Sequence, residues 1–253
     1  MGARRGIAIE YGHYPVPPAD DGAWAALWSS DLSAFNVTSP FKERAAAACV
    51  ELGTTAKRIG AANTVIRGED GWLGHSTDGY GFVRALLAAE EPIRGRTTIV
   101  LGTGGAGRAV ARAIVDVGGA VTLVTRDPLR TPPGCEDLPR LGWDDLPPRR
   151  FDIVVNATPI GRGVGETAAP PIPYDACCPG ALAVDLNYTP PITAFLRAAH
   201  VAGARTLNGF GMLIHQACLG AAILIDEDPA AAESYEEDFW AVAREIAPQV
   251  LHQ

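Results

Sequence analysis

One segment constrains the fold more than any other. Residues 97–101 form a short β-branched, apolar run, Gly102-Thr103-Gly104-Gly105-Ala106-Gly107 follows at once, residues 107–117 read as a helix, and residues 121–125 read as a second apolar strand. A strand, a turn, a helix and a further strand in that order make a βαβ unit. The glycines fit G-x-G-x-x-G where that spacing has a mechanism, straight after a strand and opening a helix. They let the backbone approach a pyrophosphate, and the helix start offers unpaired N–H groups and partial positive charge to it. Glycine turns before helices are common, so it is the context that predicts dinucleotide binding. Thr125, Arg126 and Asp127 end the second strand. An arginine there pairs with the 2′-phosphate of NADP, whereas an acidic side chain accepts from the ribose of NAD. Arg126 comes first and favours NADP; Asp127 leaves NAD open, or serves to hold Arg126.

Residues 152–156 and 181–186 are further apolar strands, each with polar residues at its end, where parallel sheets place ligands. Residues 128–150 are proline-rich and aperiodic and predict an irregular excursion; residues 162–173 predict a mobile Gly/Pro loop. Upstream, the pattern predicts a strand within 6–15, a short helix over 23–28, a loop over 36–42 broken by Pro40, and a helix over 43–52. Strands over 62–67 and 71–74 flank a turn, and a helix follows over 79–90. The chain turns helical again from Asn208, and residues 239–251 read as a last amphipathic helix. This is an α/β pattern without internal repeats, and 253 residues suffice for two domains that each bury a core.

A formal net charge of −8 argues against nucleic acid or an anionic membrane as partner, since either needs a basic face. The first residues carry no apolar signal-peptide core, Gly6 stands where a myristoylation signal has Ser or Thr, and no apolar run approaches the ~18 residues of a membrane span. The expected location is therefore cytoplasmic. Cys49, Cys135, Cys177, Cys178 and Cys218 include no C-x-x-C pair and read as buried or incidental thiols. His13, His75, His200, His215 and His252 lack metal-ligand spacing, so no metal is expected. Asn-x-Thr triplets begin at Asn36, Asn156 and Asn187; without a secretion signal they need an explanation other than glycosylation.

The loop Asn36-Val37-Thr38-Ser39-Pro40-Phe41-Lys42 crowds polar side chains around a rigid turn. The chain has only two lysines, Lys42 and Lys57, among its 21 basic residues. An arginine cannot release its proton at neutral pH, but a lysine in a desolvated pocket can, so Lys42 is a candidate proton carrier; the bland alternative is a surface lysine. Asn63 and Thr64 lie in a short strand. Asp78 precedes a helix, where an N-cap is the ordinary role.

In order, these segments resemble the shikimate dehydrogenase family. Residues 36–42 are similar to its N-V-T-x-P-x-K, Gly60-Ala61-Ala62-Asn63-Thr64 to its G-A-x-N-T, and Ser76-Thr77-Asp78-Gly79 to its N-T-D-x-x-G with Ser76 in place of Asn. The glycine loop, Asn156-Ala157-Thr158, Asp185-Leu186-Asn187-Tyr188 and Gly209-Phe210-Gly211-Met212-Leu213-Ile214-His215-Gln216 resemble four further motifs. The resemblance implies a discontinuous N-terminal α/β catalytic domain, residues 1–88 plus 209–253, around a Rossmann-type NADP-binding domain, residues 89–208. It implies Lys42 and Asp78 as the catalytic proton-handling pair, and Thr38, Asn63, Tyr188 and Gln216 as substrate-binding residues. The cofactor set it implies is Gly102, Gly104, Gly105, Ala106, Gly107, Thr125, Arg126, Thr158, Leu186 and Gly209. The implied reaction is NADP-dependent interconversion of 3-dehydroshikimate and shikimate, or of a close hydroxylated ring acid, by a monomer or homodimer.

The resemblance breaks at the N-terminus. Family members open with a strand and an S-x-S loop whose hydroxyls hold the substrate carboxylate; no Ser-x-Ser pair precedes Asn36 here, and Ser29 and Ser30 are adjacent. Three explanations stand open: a later start than in the family, a different anchor among Arg4, Arg5, Tyr11 and His13, or a different substrate such as quinate or an aminoshikimate. A non-catalytic NADP-binding protein is the remaining alternative.

Overall fold

The computed structural model describes residues 8–225 and 228–246. Its larger sheet holds six strands, β5 (Thr97–Leu101), β6 (Ala120–Val124), β7 (Arg140–Leu141), β8 (Ile153–Asn156), β9 (Leu182–Asp185) and β10 (Arg205–Asn208). They run parallel in the order β7-β6-β5-β8-β9-β10, the order of dinucleotide-binding sheets, which reverses direction between β5 and β8. Helices cover both faces, which is why these strands read as continuous apolar runs rather than alternating ones. Val100, Val155 and Val184 pack on one side with Val110 and Ile114 of the helix Gly105–Asp116 and with Phe82 and Leu86. Ile99, Val154 and Ala183 pack on the other with Phe195, Leu196 and Ala199 of the helix Ala194–Val201. No helix is described between β6 and β7; that stretch is the irregular excursion its prolines predict.

The smaller sheet has the order β1-β3-β4-β2, formed by β1 (Ala34–Asn36), β2 (Glu51–Leu52), β3 (Thr64–Arg67) and β4 (Trp72–His75). It is mixed, with β2 parallel to β4 and the other pairs antiparallel. Its core is aromatic. Trp28 meets Trp72 edge-on, and Trp24, in the helix Asp21–Trp28, stacks on Phe41 with ring centroids 5.2 Å apart. That stack fixes the residue just before Lys42.

The helix Asp78–Ala88 joins the two sheets. Two of its glycines permit close crossings: a Cβ on Gly79 would lie 2.8 Å from the Ala109 carbonyl oxygen, and one on Gly81 would lie 2.6 Å from that of Met212. The helix is thus wedged between Gly105–Asp116 and Phe210–Leu224, with Asp78 at its first turn.

Several local expectations need correction. The strand expected within 6–15 does not form among residues 8–15, which are mostly exposed and pair with no described strand, so their alternating apolar residues have no ladder to join. The helix expected over 43–52 spans only Lys42–Ala48; Cys49 turns extended, and Glu51–Leu52 pair with Leu73–Gly74. A helix at Thr54–Ile59 went unread. The last helix is Glu236–Ile246, and the rest of the expected 239–251 span lies outside the described residues, as do Arg4, Arg5 and His252. Among the described residues no helix is long and apolar enough to cross a membrane, and no cluster of His, Cys, Asp and Glu is placed to hold a metal.

Candidate active site

Lys42 is the first residue of its helix, and its Nζ donates to Asp78 Oδ2 at 2.5 Å with both side chains largely buried. Asp78 does not cap its helix through its side chain. The N-cap position belongs to Thr77, and both Asp78 oxygens are engaged elsewhere, Oδ2 by Lys42 and Oδ1 by Asn63 Nδ2 at 3.1 Å. A carboxylate in the first turn still gains from the positive end of the helix. Asn63 is the hub of the network. Its Nδ2 lies 2.9 Å from Thr77 Oγ1 and 3.0 Å from Gln216 Oε1, while its Oδ1 accepts from the Thr77 backbone N–H at 2.9 Å. Gln216 in turn donates through Nε2 to the Leu213 carbonyl, which sets its orientation. Lys42, Asn63, Asp78 and Gln216, from four segments, therefore form one connected polar cluster.

A cavity of about 490 Å³ opens where the strand order reverses, lined by Gly102, Gly104, Thr125, Arg126, Arg130 and Thr158 among others. Gly104 is the N-cap of the glycine-loop helix with no side-chain cap hydrogen bond, and a Cβ there would meet nothing within 4 Å, so this helix start is open. Gly102 adopts φ 101°, a turn that only glycine makes cheaply. A Cβ on Gly107 would overlap the Gly102 carbonyl, and one on Gly105 would come within 3.2 Å of Lys42 Cβ. The glycine loop thus presses directly on the lysine segment, with Ala106 between these two glycines in the first helical turn.

At the end of β6, Asp127 Oδ1 accepts from the backbone N–H groups of Leu129 and Arg130 at 3.1 and 3.3 Å. Its carboxylate closes a turn that sets Arg130 on the cavity wall together with Arg126. The residues present therefore fit NADP: bare amides for a pyrophosphate, two guanidinium groups for a further phosphate, and an aspartate already engaged. Arg130 and Arg108 were missed in the sequence. Arg108 is 3% exposed and ties the Thr103 and Ile59 carbonyls to Glu43, so it binds the glycine loop to the Lys42 helix.

A second cavity of about 200 Å³ is lined by Thr38, Arg162, Leu186, Asn187, Tyr188 and Thr189. It brings Thr38 together with Tyr188, while Lys42, Asn63, Asp78 and Gln216 stand apart from its lining. Gly209 sits so close to the Leu186 carbonyl that a Cβ would overlap it. Behind this wall the buried Asp185 accepts from Asn156 Nδ2, from the Asn187 N–H and Nδ2, and from Thr193 Oγ1. Burial pushes the Asp185 carboxyl above its ordinary value, against these hydrogen bonds. Two of the Asn-x-Thr triplets are thereby explained: Asn156 and Asn187 are internal struts. In the third, Asn36 Nδ2 reaches the Asn63 carbonyl and Thr64 Oγ1. Tyr11 donates to Asn36 Oδ1 at 3.2 Å, but neither Tyr11 nor His13 lines either cavity.

A parallel sheet with a glycine loop at its switch point, and a lysine–carboxylate pair packed against that loop, define a dinucleotide-dependent alcohol oxidoreductase. Residues 1–65 match the shikimate dehydrogenase substrate binding domain. Shikimate dehydrogenase (NADP(+)) of Aeropyrum pernix is 36% identical, the alignment covering 91% of this chain and 86% of that protein. The structure of shikimate 5-dehydrogenase from Thermus thermophilus in complex with NADP(H) and shikimate superposes with a TM-score of 0.76 at 31% identity, covering 94% and 91% of the two chains. The ligand-free 5-ketofructose reductase of a Gluconobacter strain superposes with a TM-score of 0.63 at 30% identity, covering 85% and 82%. The chain belongs to the shikimate dehydrogenase family.

Proposed function

We propose that this chain interconverts shikimate and 3-dehydroshikimate with NADP, and that Lys42 carries the proton. The observation behind this reading is the Lys42–Asp78 contact at 2.5 Å on a segment in van der Waals contact with the glycine loop. The chemistry that NADP would supply when held by these residues is the two-electron step, hydride exchange with a secondary alcohol or ketone. The substrate hydroxyl must lose a proton as its carbon loses hydride, and the Lys42 amine receives it. In the reverse direction the Lys42 ammonium donates it back. Asp78 stabilises the ammonium and aims it; Asn63 and Gln216, held by Thr77 and Leu213, offer amides to ring hydroxyls. Thr38 and Tyr188 serve the substrate from the second cavity. The glycine loop from Gly102 to Gly107 would hold the pyrophosphate of the cofactor, Thr125, Arg126 and Arg130 its 2′-phosphate side, and Thr158, Leu186 and Gly209 its nicotinamide side.

This reading divides the chain into a substrate domain, residues 1–88 and 209–253, and a cofactor domain, residues 89–208. The cleft between them holds the chemistry, and the helix Asp78–Ala88 packs against both. A second reading, reduction of an uncharged sugar ketone, is favoured by the similarity to 5-ketofructose reductase. Purified protein mixed with NADP⁺ or NAD⁺ and with shikimate or quinate, and with NADPH and 5-ketofructose, separates the two through absorbance of the reduced nicotinamide. Turnover is expected on shikimate with NADP⁺. Turnover confined to 5-ketofructose would replace the first reading with the second.

A further inference from the structure

The ring-acid reading requires a partner for the substrate carboxylate. Arg4 and Arg5 lie outside the described residues, and Tyr11 and His13 line neither cavity. A carboxylate leaving water needs a positive partner or several strong donors. Of the six residues lining the second cavity, only Arg162 carries a charge. We propose that Arg162 takes the carboxylate of the ring acid, and so sets specificity for an acid over a neutral polyol. This rests on the ring-acid reading above.

The guanidinium is oriented rather than loose. Arg162 Nε donates to Asn187 Oδ1 at 3.0 Å, and Asn187 is 3% exposed and is itself held by Asp185. Among the described residues neither terminal nitrogen of Arg162 has a hydrogen-bond partner and no carboxylate forms an ion pair with it, so the two-pronged end remains available. That end matches the two oxygens of a carboxylate. The backbone is fixed as well. The Arg162 N–H donates to the Pro159 carbonyl at 3.1 Å, and the Gly163 N–H donates to the Thr189 carbonyl at 2.8 Å, which ties the loop to the segment carrying Tyr188. Gly161 and Gly163 flank the arginine at φ 84° and 115°, turns that glycine makes cheaply. The cofactor phosphates have their own cations in Arg126 and Arg130, which line the first cavity where Arg162 does not.

The test compares wild type, Arg162→Ala and Arg162→Lys on shikimate and on shikimate methyl ester, which keeps the hydroxyls and loses the charge. NADP affinity is measured by calorimetry in parallel, and melting curves confirm folding. Arg162→Ala is expected to raise KM for the acid on the order of 10- to 100-fold, the range for a charge-assisted pair of hydrogen bonds. It should leave the ester KM and NADP affinity within about twofold, and Arg162→Lys should recover part of the loss. If wild type uses shikimate and Arg162→Ala keeps its preference for acid over ester, or loses NADP affinity instead, the anchor is elsewhere and the ring-acid reading survives. If wild type neither binds nor oxidises shikimate or quinate, that reading falls and the assignment of Arg162 falls with it.

Discussion

Arg126 and Arg130 both line the larger cavity, and Asp127 beside Arg126 is occupied by backbone N–H groups. Two guanidinium groups without a competing free carboxylate suit a 2′-phosphate. Replacing both arginines by alanine should raise KM for NADP roughly 10- to 100-fold and change KM for NAD by no more than about twofold; an equal loss for both cofactors would contradict the assignment. Residues of a rare type were legible in the sequence. Lys42 stood out because lysine is scarce, and the structure separates it from Lys57, which is exposed and outside the cluster. Arg108, Arg130 and Arg162 were not legible, because in an arginine-rich chain a single arginine carries no signal and only the fold shows which ones point into clefts. Asp78 was visible as a residue, but only the family resemblance suggested its pairing with Lys42, since an aspartate before a helix otherwise looks like a cap.

The strands of the parallel sheet were readable because burial on both faces leaves unbroken apolar runs, as in Thr97–Leu101 and Ile153–Asn156. The small sheet was only half readable: β3 and β4 match the two strands expected around a turn, whereas β1 and β2 were not seen. Its β1 has three residues and its β2 two, too short to show a period, and β2 follows an alanine run whose propensity favours helix. The helix Asp78–Ala88 owes its position to small residues rather than large ones. At Gly81 a methyl group would lie 2.6 Å from the Met212 carbonyl oxygen and 2.7 Å from Gln216 Cβ. Gly81→Ala should therefore cost about 1–3 kcal/mol of stability despite the gain in helix propensity. It should also disturb substrate binding through Gln216. Urea denaturation measures the first effect, and an unchanged or higher midpoint would show that the two helices can part without cost.

For the whole molecule, burial holds the imidazoles of His75 and His215 below the ordinary 6.5. His215 packs beside Trp240 and contacts Glu236 at 3.1 Å, which joins the C-terminal helix to Phe210–Leu224. Because its folded value is depressed, the unfolded chain binds more protons as the pH falls through about 6.5, so stability drops from there towards the folded value. Asp185 acts with the opposite sign: its raised folded value favours the fold below 3.8 and loses that advantage as the pH rises through the shifted value. The gap in Tm between wild type and His215→Gln isolates the histidine; it should narrow between about pH 7.5 and pH 5.5, and a constant gap would mean that His215 does not titrate differently on folding. The proposed place of Lys42 between substrate and nicotinamide is best checked by NADPH formation from shikimate in wild type and Lys42→Ala at saturating NADP⁺, with cofactor affinity measured on both. The variant is expected to show a kcat lower by ~10²-fold or more with NADP affinity unchanged; near-normal turnover by Lys42→Ala would remove the lysine from the proton transfer.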